Sequence, residues 1–381
     1  MRVTRYIVIA AVVLVCCSLY AAEPGTIIVA TQTGRAQSQP SGAPPPSSDK
    51  PAEQVRKNIQ VLQGLPDSQL IPVMHLMNAS LGVECAHCHV REGNNWAFDK
   101  DDKKEKQVTR QMIRMTREIN RSTFNGKTEV SCFTCHQGGT HPVSAVPLPF
   151  EPRSVSAAAS TRGTEALPST AEILKKFQDA AGSKAALLKA GPRSCRGTML
   201  DPQGNSFPVE VNQKPPDKLL ISVTLRQGTM VRAVDGARGW VKTAQGVRDA
   251  QPVEIAQLQR LADFYWAAKL LEKTADLSVV RKEKVGDREA YVLRMPIDPA
   301  RFELLYFDAD NGLLLRRRSR ADTVIGPWIE QIDFGDYRDV NGIKLPFEIK
   351  ANGPEPRGDF TLKYSEVISN VPIEDSRFAK P

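Results

Sequence analysis

Apolar and polar positions divide the chain into five stretches. Tyr6 to Tyr20 is a nearly unbroken apolar run behind Arg2 and Arg5, ending near Ala21-Ala22. A basic start, an apolar run of that length and small residues after it predict a secretory signal peptide or an N-terminal anchor over residues 1–22. Residues 23–51 carry Ser, Gly, Pro and Gln around Ala43-Pro44-Pro45-Pro46. Such a composition buries too little apolar surface to offset chain entropy, which predicts a flexible linker. Residues 52–141 show helical spacing, residues 142–169 form a second linker rich in Pro, Ser and Ala, and residues 170–381 mostly alternate as strands do.

The last stretch opens with a predicted helix from Thr170 to about Ala181 and then carries repeated hairpin signals. Asn311-Gly312, Asn341-Gly342 and Gly286-Asp287 each separate two apolar runs, and such dipeptides supply the positive backbone angles of a tight reversal. Ile255, Leu258, Leu261, Ala262 and Tyr265 lie at helical spacing. The fold class predicted is multidomain. A small all-α domain at 52–141 precedes an α+β domain at 170–381, built as a curved antiparallel sheet, a half-barrel, with one or two helices on its inner face.

The net charge of +8 is spread along 381 residues without a basic block. That pattern argues against a nucleic-acid partner and leaves a weak preference for acidic protein surfaces or anionic lipid head groups.

The cysteines narrow the chemistry. Of seven, Cys16 and Cys17 fall in the signal region, Cys195 stands alone, and the remaining four form two identical spacings. Cys195 reads as a small buried apolar residue rather than a reactive or intermolecular thiol. The pentapeptides Cys85-Ala86-His87-Cys88-His89 and Cys132-Phe133-Thr134-Cys135-His136 both follow C-x-x-C-H, the pattern of c-type haem attachment. The two-residue gap lets both thiols reach one macrocycle as thioethers, and the adjacent histidine is then held beneath the iron. Two covalently bound haem c groups are therefore expected, on Cys85 and Cys88 with His89, and on Cys132 and Cys135 with His136. The competing readings are a redox dithiol and a zinc ribbon. Zinc needs both motifs to converge on one tetrahedral site.

Each iron needs a sixth ligand. Met74 and Met77 precede the first motif, Met112 and Met115 the second, and each pair is spaced to share one helix face. One methionine of each pair is the expected ligand while the other packs on the porphyrin, and Ile119 continues the second face. His75, His87 and His141 compete for the same positions. A thioether ligand favours ferrous iron and raises the potential relative to bis-histidine ligation. Arg110, Arg114, Arg117 and Arg121 are candidates to meet haem propionates.

Ile71-Pro72-Val73-Met74 leading to Leu81-Gly82-Val83-Glu84-Cys85, and the segment from Arg110 to Asn120 followed by Val130-Ser131-Cys132, closely resemble the photosynthetic reaction-centre cytochrome c subunit family. The resemblance covers residues 52 to about 140. It implies that Met74 and His89 ligate the first iron and Met112 and His136 the second. Familiar members carry four haems in two tandem pairs, whereas this chain has one pair. The function implied is outer-sphere electron transfer by an exported, periplasmic carrier, membrane-anchored or free. It would not be an enzyme, and its partners would be redox proteins, a membrane-bound electron-transfer complex among them. A dihaem peroxidase-like enzyme is the first alternative.

Lys214-Pro215-Pro216-Asp217-Lys218, Asp235-Gly236, Gly239-Trp240, Tyr306-Phe307-Asp308, Gly312-Leu313-Leu314 and Asp336-Tyr337-Arg338 resemble short motifs of outer-membrane lipoprotein carriers and lipoprotein-sorting proteins. That resemblance implies a concave face able to take an acyl chain. A lipid- or lipoprotein-binding protein with an accessory haem module is thus the second alternative. The competing expectation is a docking domain whose concavity is filled by its own side chains.

Overall fold

The computed structural model describes residues 50–93, 95–144, 167–298, 301–354 and 359–381. The signal or anchor expected at 1–22, nearly all of the linker at 23–51 and most of that at 142–169 lie outside the described residues. No helix among the described residues is long and apolar enough to cross a membrane.

The N-terminal region contains α1 (Ala52–Val55), α2 (Asp67–Leu81), α3 (Lys104–Thr123) and α4 (Cys132–His136), with a small hairpin of β1 (Val90–Glu92) and β2 (Asn95–Ala97). The hairpin corrects the expectation of an all-α domain. Its strands of three residues are too short to show alternation in the sequence. Gly93 enters the reversal at φ 61°, and the Arg91 guanidinium lies 4.6 Å from the centroid of Trp96, its cross-strand partner. Helix α2 buries Leu70, Val73, Leu76 and Met77 against Leu62, Leu65 and Ile113 of α3. It stops at Gly82, left-handed at φ 65°, where the Val83 N–H donates to the Asn78 carbonyl at 3.1 Å.

After α5 (Thr170–Ala181) and α6 (Lys184–Lys189) come β3 (Arg193–Leu200), β4 (Ser206–Lys214) and β5 (Lys218–Leu225). Strands β6 (Gly228–Asp235), β7 (Arg238–Thr243) and β8 (Gly246–Asp249) continue the meander. Helices α7 (Pro252–Ala262) and α8 (Trp266–Leu270) then cross to β9 (Ser278–Val285). The return meander is β10 (Arg288–Asp298), β11 (Arg301–Asp308), β12 (Leu314–Thr323), β13 (Gly326–Val340), β14 (Ile343–Asn352) and β15 (Phe360–Ser369). Among the described residues these form one antiparallel sheet of thirteen strands, ordered β8-β7-β6-β5-β4-β3-β15-β14-β13-β12-β11-β10-β9. The last strand closes on the first, and β8 and β9 are left as edges.

The expected helix at Thr170 is present. Ser169 caps it by accepting from the Glu172 N–H at 3.2 Å, while Glu172 accepts in return from the Ser169 N–H at 2.7 Å. Asn341 and Gly342, at φ 55° and 80°, form the two-residue turn between β13 and β14. Among the described residues four α-helices accompany the sheet rather than one or two, because α6 and α8 are short pieces that cannot display a period. Helix α5 sets Ile173, Leu174 and Phe177 on Leu293, Leu305 and Phe307, and α7 sets Leu258 and Ala262 on Val209, Leu219 and Val223. Full burial of each large side chain there contributes about 1.5–3 kcal/mol. Cys195 is buried in the second of these clusters, as its sequence context suggested.

A polar row interrupts the apolar face of β11–β13. Register places Ser319 between Glu303 and Glu330. Arg317 holds the fully buried Glu303 carboxylate in a bidentate pair of 2.8 and 2.6 Å. Glu330 accepts from the Trp328 indole N–H at 2.8 Å. Beyond that row, Ile325 and Trp328 join the same cluster as Leu62, Val73, Leu76 and Ile113, so the two regions share one core.

Candidate haem-binding site

The two attachment motifs adopt different local structures. Cys85–His87 forms a 3-10 turn that Cys88 closes, its N–H donating to the Cys85 carbonyl at 3.3 Å, and the His89 N–H donates to the same carbonyl at 3.0 Å. Cys132, Phe133, Thr134, Cys135 and His136 make up helix α4, preceded by Ser131, whose N–H donates to the Thr134 hydroxyl at 3.0 Å. In both, the backbone turns so that the two cysteines and the histidine leave one short segment together.

The motifs are packed against the methionine-bearing helices. The Asn78 amide of α2 lies 3.8 Å from Cys85 Sγ, and the Thr109 hydroxyl of α3 lies 3.8 Å from Cys88 Sγ. Lys103, just before α3, donates to the Ala86 carbonyl. Helix α2 also meets the second motif: the Gly138 N–H donates to the Ser80 carbonyl at 2.9 Å. A Cβ at Gly82 would collide with the Gly138 carbonyl, and its φ of 65° already disfavours any other residue. Gly82→Ala is accordingly expected to destabilise the protein by at least ~1 kcal/mol, read as a lowered thermal midpoint. An unchanged midpoint would refute this close approach.

The two methionines of each pair differ in burial. Met77 is core, whereas Met74 sits half-buried at the edge of that cluster, next to the exposed Ile71. On α3 the packed face is Arg110, Ile113, Thr116 and Asn120. A second stripe, Val108, Met112, Met115 and Ile119, follows helical spacing, with Met112 and Ile119 half-buried, Val108 41% exposed and Met115 47% exposed. An apolar stripe left uncovered beside a packed one fits a flat apolar group lying across it. Phe98, also exposed, stacks on Trp96 at 5.4 Å and meets the His89 ring edge-on at 5.1 Å.

The histidines fit iron ligation. His136 Nδ1 lies 3.0 Å from the Gly139 carbonyl, which orients the ring and leaves Nε2 for another bond. His89 Nδ1 is buried without a hydrogen-bond partner. Burial and then Lys106 push the His89 pKa down, against the pull of the Phe98 backbone, so the ring is held neutral as a metal ligand requires. His75 is likewise held neutral by burial, with its ring 6.5 Å from Trp328. His87 is half-buried in the first motif's turn, and His141 is exposed.

The arginines are mostly committed. Arg110 donates to Asp101 at 2.8 Å and to the Asn58 carbonyl at 3.2 Å, Arg117 to the Val61 carbonyl at 2.9 Å, and Arg121 pairs with Glu118. Arg110 and Lys106 together hold the Asp101 carboxyl far below the usual range. The competing cysteine chemistries fare poorly. The four motif cysteines are unpaired, and burial pushes the Cys88 and Cys132 thiols up, opposite to a redox dithiol. Among the described residues no three His, Cys, Asp or Glu side chains converge as a metal cluster, so the four-ligand zinc arrangement does not form. Trp328 and Ile325 join this region's core too, and neither motif nor spacing in the sequence singles them out.

A family model described as the photosynthetic reaction centre cytochrome C subunit matches residues 21–172. A curated relative, the photosynthetic reaction center cytochrome c subunit of Roseobacter denitrificans, is 34% identical over 101 residues, which make up 25% of this chain and 27% of the relative. The chain thus spans about a quarter of that relative's length. Solved structures similar to this chain include the following two. A LolA superfamily protein from Nitrosomonas europaea has 16% identity and a TM-score of 0.37, covering 56% of this chain and 99% of that one. A putative outer membrane lipoprotein-sorting protein domain from Vibrio parahaemolyticus has 11% identity and a TM-score of 0.36, covering 55% and 95%. Residues 21–172 therefore carry a cytochrome region similar to the photosynthetic reaction-centre cytochrome c subunit, a likeness that implies covalently bound haem c.

Proposed function

We propose that this protein is an exported dihaem c-type cytochrome that carries electrons by outer-sphere transfer. Cys85 and Cys88 would hold one group with His89 and Met74 as iron ligands, and Cys132 and Cys135 the other with His136 and Met112. The observation that carries the reading is the uncovered stripe of Val108, Met112, Met115 and Ile119, separate from the packed face of α3. A methionine helix serving only the core would turn its apolar residues inward, whereas α3 packs Arg110, Thr116 and Asn120 beside Ile113 and leaves most of its larger apolar side chains on the other stripe. Bound haem supplies a one-electron couple, which a thioether ligand moves toward the ferrous state. The chain's own part is to orient His136 through Gly139, to hold His89 neutral, and to keep Met74 and Met112 at half-buried edges. A histidine and a methionine on each iron would leave no place for peroxide, which separates this reading from a peroxidase. The partners inferred are redox proteins in the periplasm, including a membrane-bound electron-transfer complex. The inner face of the sheet is filled by side chains of α5, α7 and α8, which supports a structural role for that domain over carriage of an acyl chain.

The test is a denaturing mass measurement with a visible spectrum of the protein purified from a host that attaches haem. The expected result is a mass increase of two haems, with low-spin bands and a long-wavelength charge-transfer band from methionine-ligated ferric iron. One haem or none, or high-spin iron turning over peroxide at enzymatic rates, would sink the reading.

A further inference from the structure

The hairpin between β12 and β13 ends in a two-residue loop, Val324-Ile325, held by the Thr323 hydroxyl, which donates to the Gly326 carbonyl at 2.6 Å. Val324 is 38% exposed, whereas Ile325 beside it turns inward. Ile325 is 0% exposed, and its cluster partners, other than Trp328 and Ala321 of the same hairpin, come from the N-terminal region. Trp328 is 6% exposed in the same cluster, which also takes in Met74 and Cys132. Between them, Gly326 approaches the segment that opens the second attachment motif. A Cβ there would lie 2.8 Å from Ser131 Cβ and 3.5 Å from Leu76 Cδ2, and its φ of 148° disfavours a side chain in any case. The sheet domain thus reaches both the helix that carries Met74 and the residue before Cys132.

We infer that this hairpin is a positioning element of the haem-binding unit, with Trp328 fixing the Met74 helix and Gly326 admitting the Ser131 segment. The small helical region has few buried residues of its own, and the hairpin supplies the fully buried Ile325 and the largest side chain of their common cluster. Interiors are close-packed, so removing an indole from this cluster leaves a void into which α2 shifts. Trp328 is anchored from the other side by its hydrogen bond to Glu330, which Ser319 approaches at 3.4 Å. Its place against α2 is therefore set by the sheet. This inference rests on the dihaem reading, because it concerns the placement of Met74.

The experiment compares haem-loaded Trp328→Ala, Trp328→Phe and Gly326→Val with the parent in a redox-titrated visible spectrum, alongside hydrogen exchange of the α2 amides. Trp328→Ala is expected to change the ferric-to-ferrous ratio of one haem about tenfold at fixed potential, about 59 mV for a one-electron couple. It should also speed exchange in α2 while far-ultraviolet dichroism of the sheet is retained. Trp328→Phe refills most of the void and should restore more than half of the shift. Gly326→Val is expected to disturb the other haem instead, because it strikes Ser131. If the parent shows two methionine-ligated haems and neither Trp328→Ala nor Gly326→Val moves a potential, the inference is overturned and the dihaem reading stands. If the parent lacks such haems, the dihaem reading itself fails.

Discussion

Replacing Met74 or Met112 by alanine is expected to leave one iron open to carbon monoxide and to lower that haem's potential. Removing the thioether withdraws the ligand that favours the ferrous state. The ferric-to-ferrous ratio at fixed potential should rise at least tenfold, roughly 59 mV for a one-electron couple. Both methionines are half-buried rather than sealed in the core, so alanine costs little packing and the effect is read on the haem rather than on the fold. Met77→Ala is the contrasting case: its side chain is buried among Val73, Leu76 and Ile113, and it should lose stability while leaving both potentials nearly unchanged. A redox-titrated spectrum of each variant with carbon monoxide decides the matter. If Met74→Ala and Met112→Ala both retain six-coordinate, carbon-monoxide-resistant iron, the ligand assignment is wrong, and His75 becomes the next candidate.

Arg317→Ala is expected to lower the stability of the sheet domain by about 3–5 kcal/mol. The Glu303 carboxylate has no exposed surface, and its bidentate partner is Arg317 of the adjacent strand. Truncating the arginine leaves a buried carboxylate without its charged partner, whereas replacing both partners by similar apolar volume removes the problem along with the pair. Glu303→Leu combined with Arg317→Met should therefore recover most of the loss. Denaturant unfolding measures both variants. A single-variant loss under about 1 kcal/mol would show that the pair sits in a wetter place than its burial suggests.

The attachment motifs were readable because their chemistry lies within five consecutive residues. Helix α5 and the Asn341-Gly342 hairpin were readable because local capping and backbone preference agree with the tertiary packing. What the chain hides is of longer range. Ile325 and Trp328 look like ordinary strand residues, and nothing near them in sequence says that they belong to a core built mostly from Leu62 to Ile113. The β1–β2 pair escaped notice because three-residue strands carry no period. The α3 stripe was visible as the Met112, Met115 and Ile119 spacing, yet only the packed face through Ile113 and Asn120 shows that it is a second face. Two of the propionate candidates, Arg110 and Arg117, reach back to the loop at Asn58 and Val61, a pairing that no local pattern encodes.

The burial of Ile325 at the tip of the β12–β13 hairpin bears on the order in which the protein is made. Ile325 lies far downstream of both attachment motifs, and the sheet that presents it closes only when β15 pairs with β3. Pairings of such sequence separation form late, because the connecting chain must first be brought together. A nascent chain leaving its exit site would thus offer Cys85, Cys88, Cys132 and Cys135 from a helical segment still lacking one wall. The core shared by Leu76, Ile113, Ile325 and Trp328 would be completed only when the hairpin arrives, so the second domain would make the last contribution to the packing of the first.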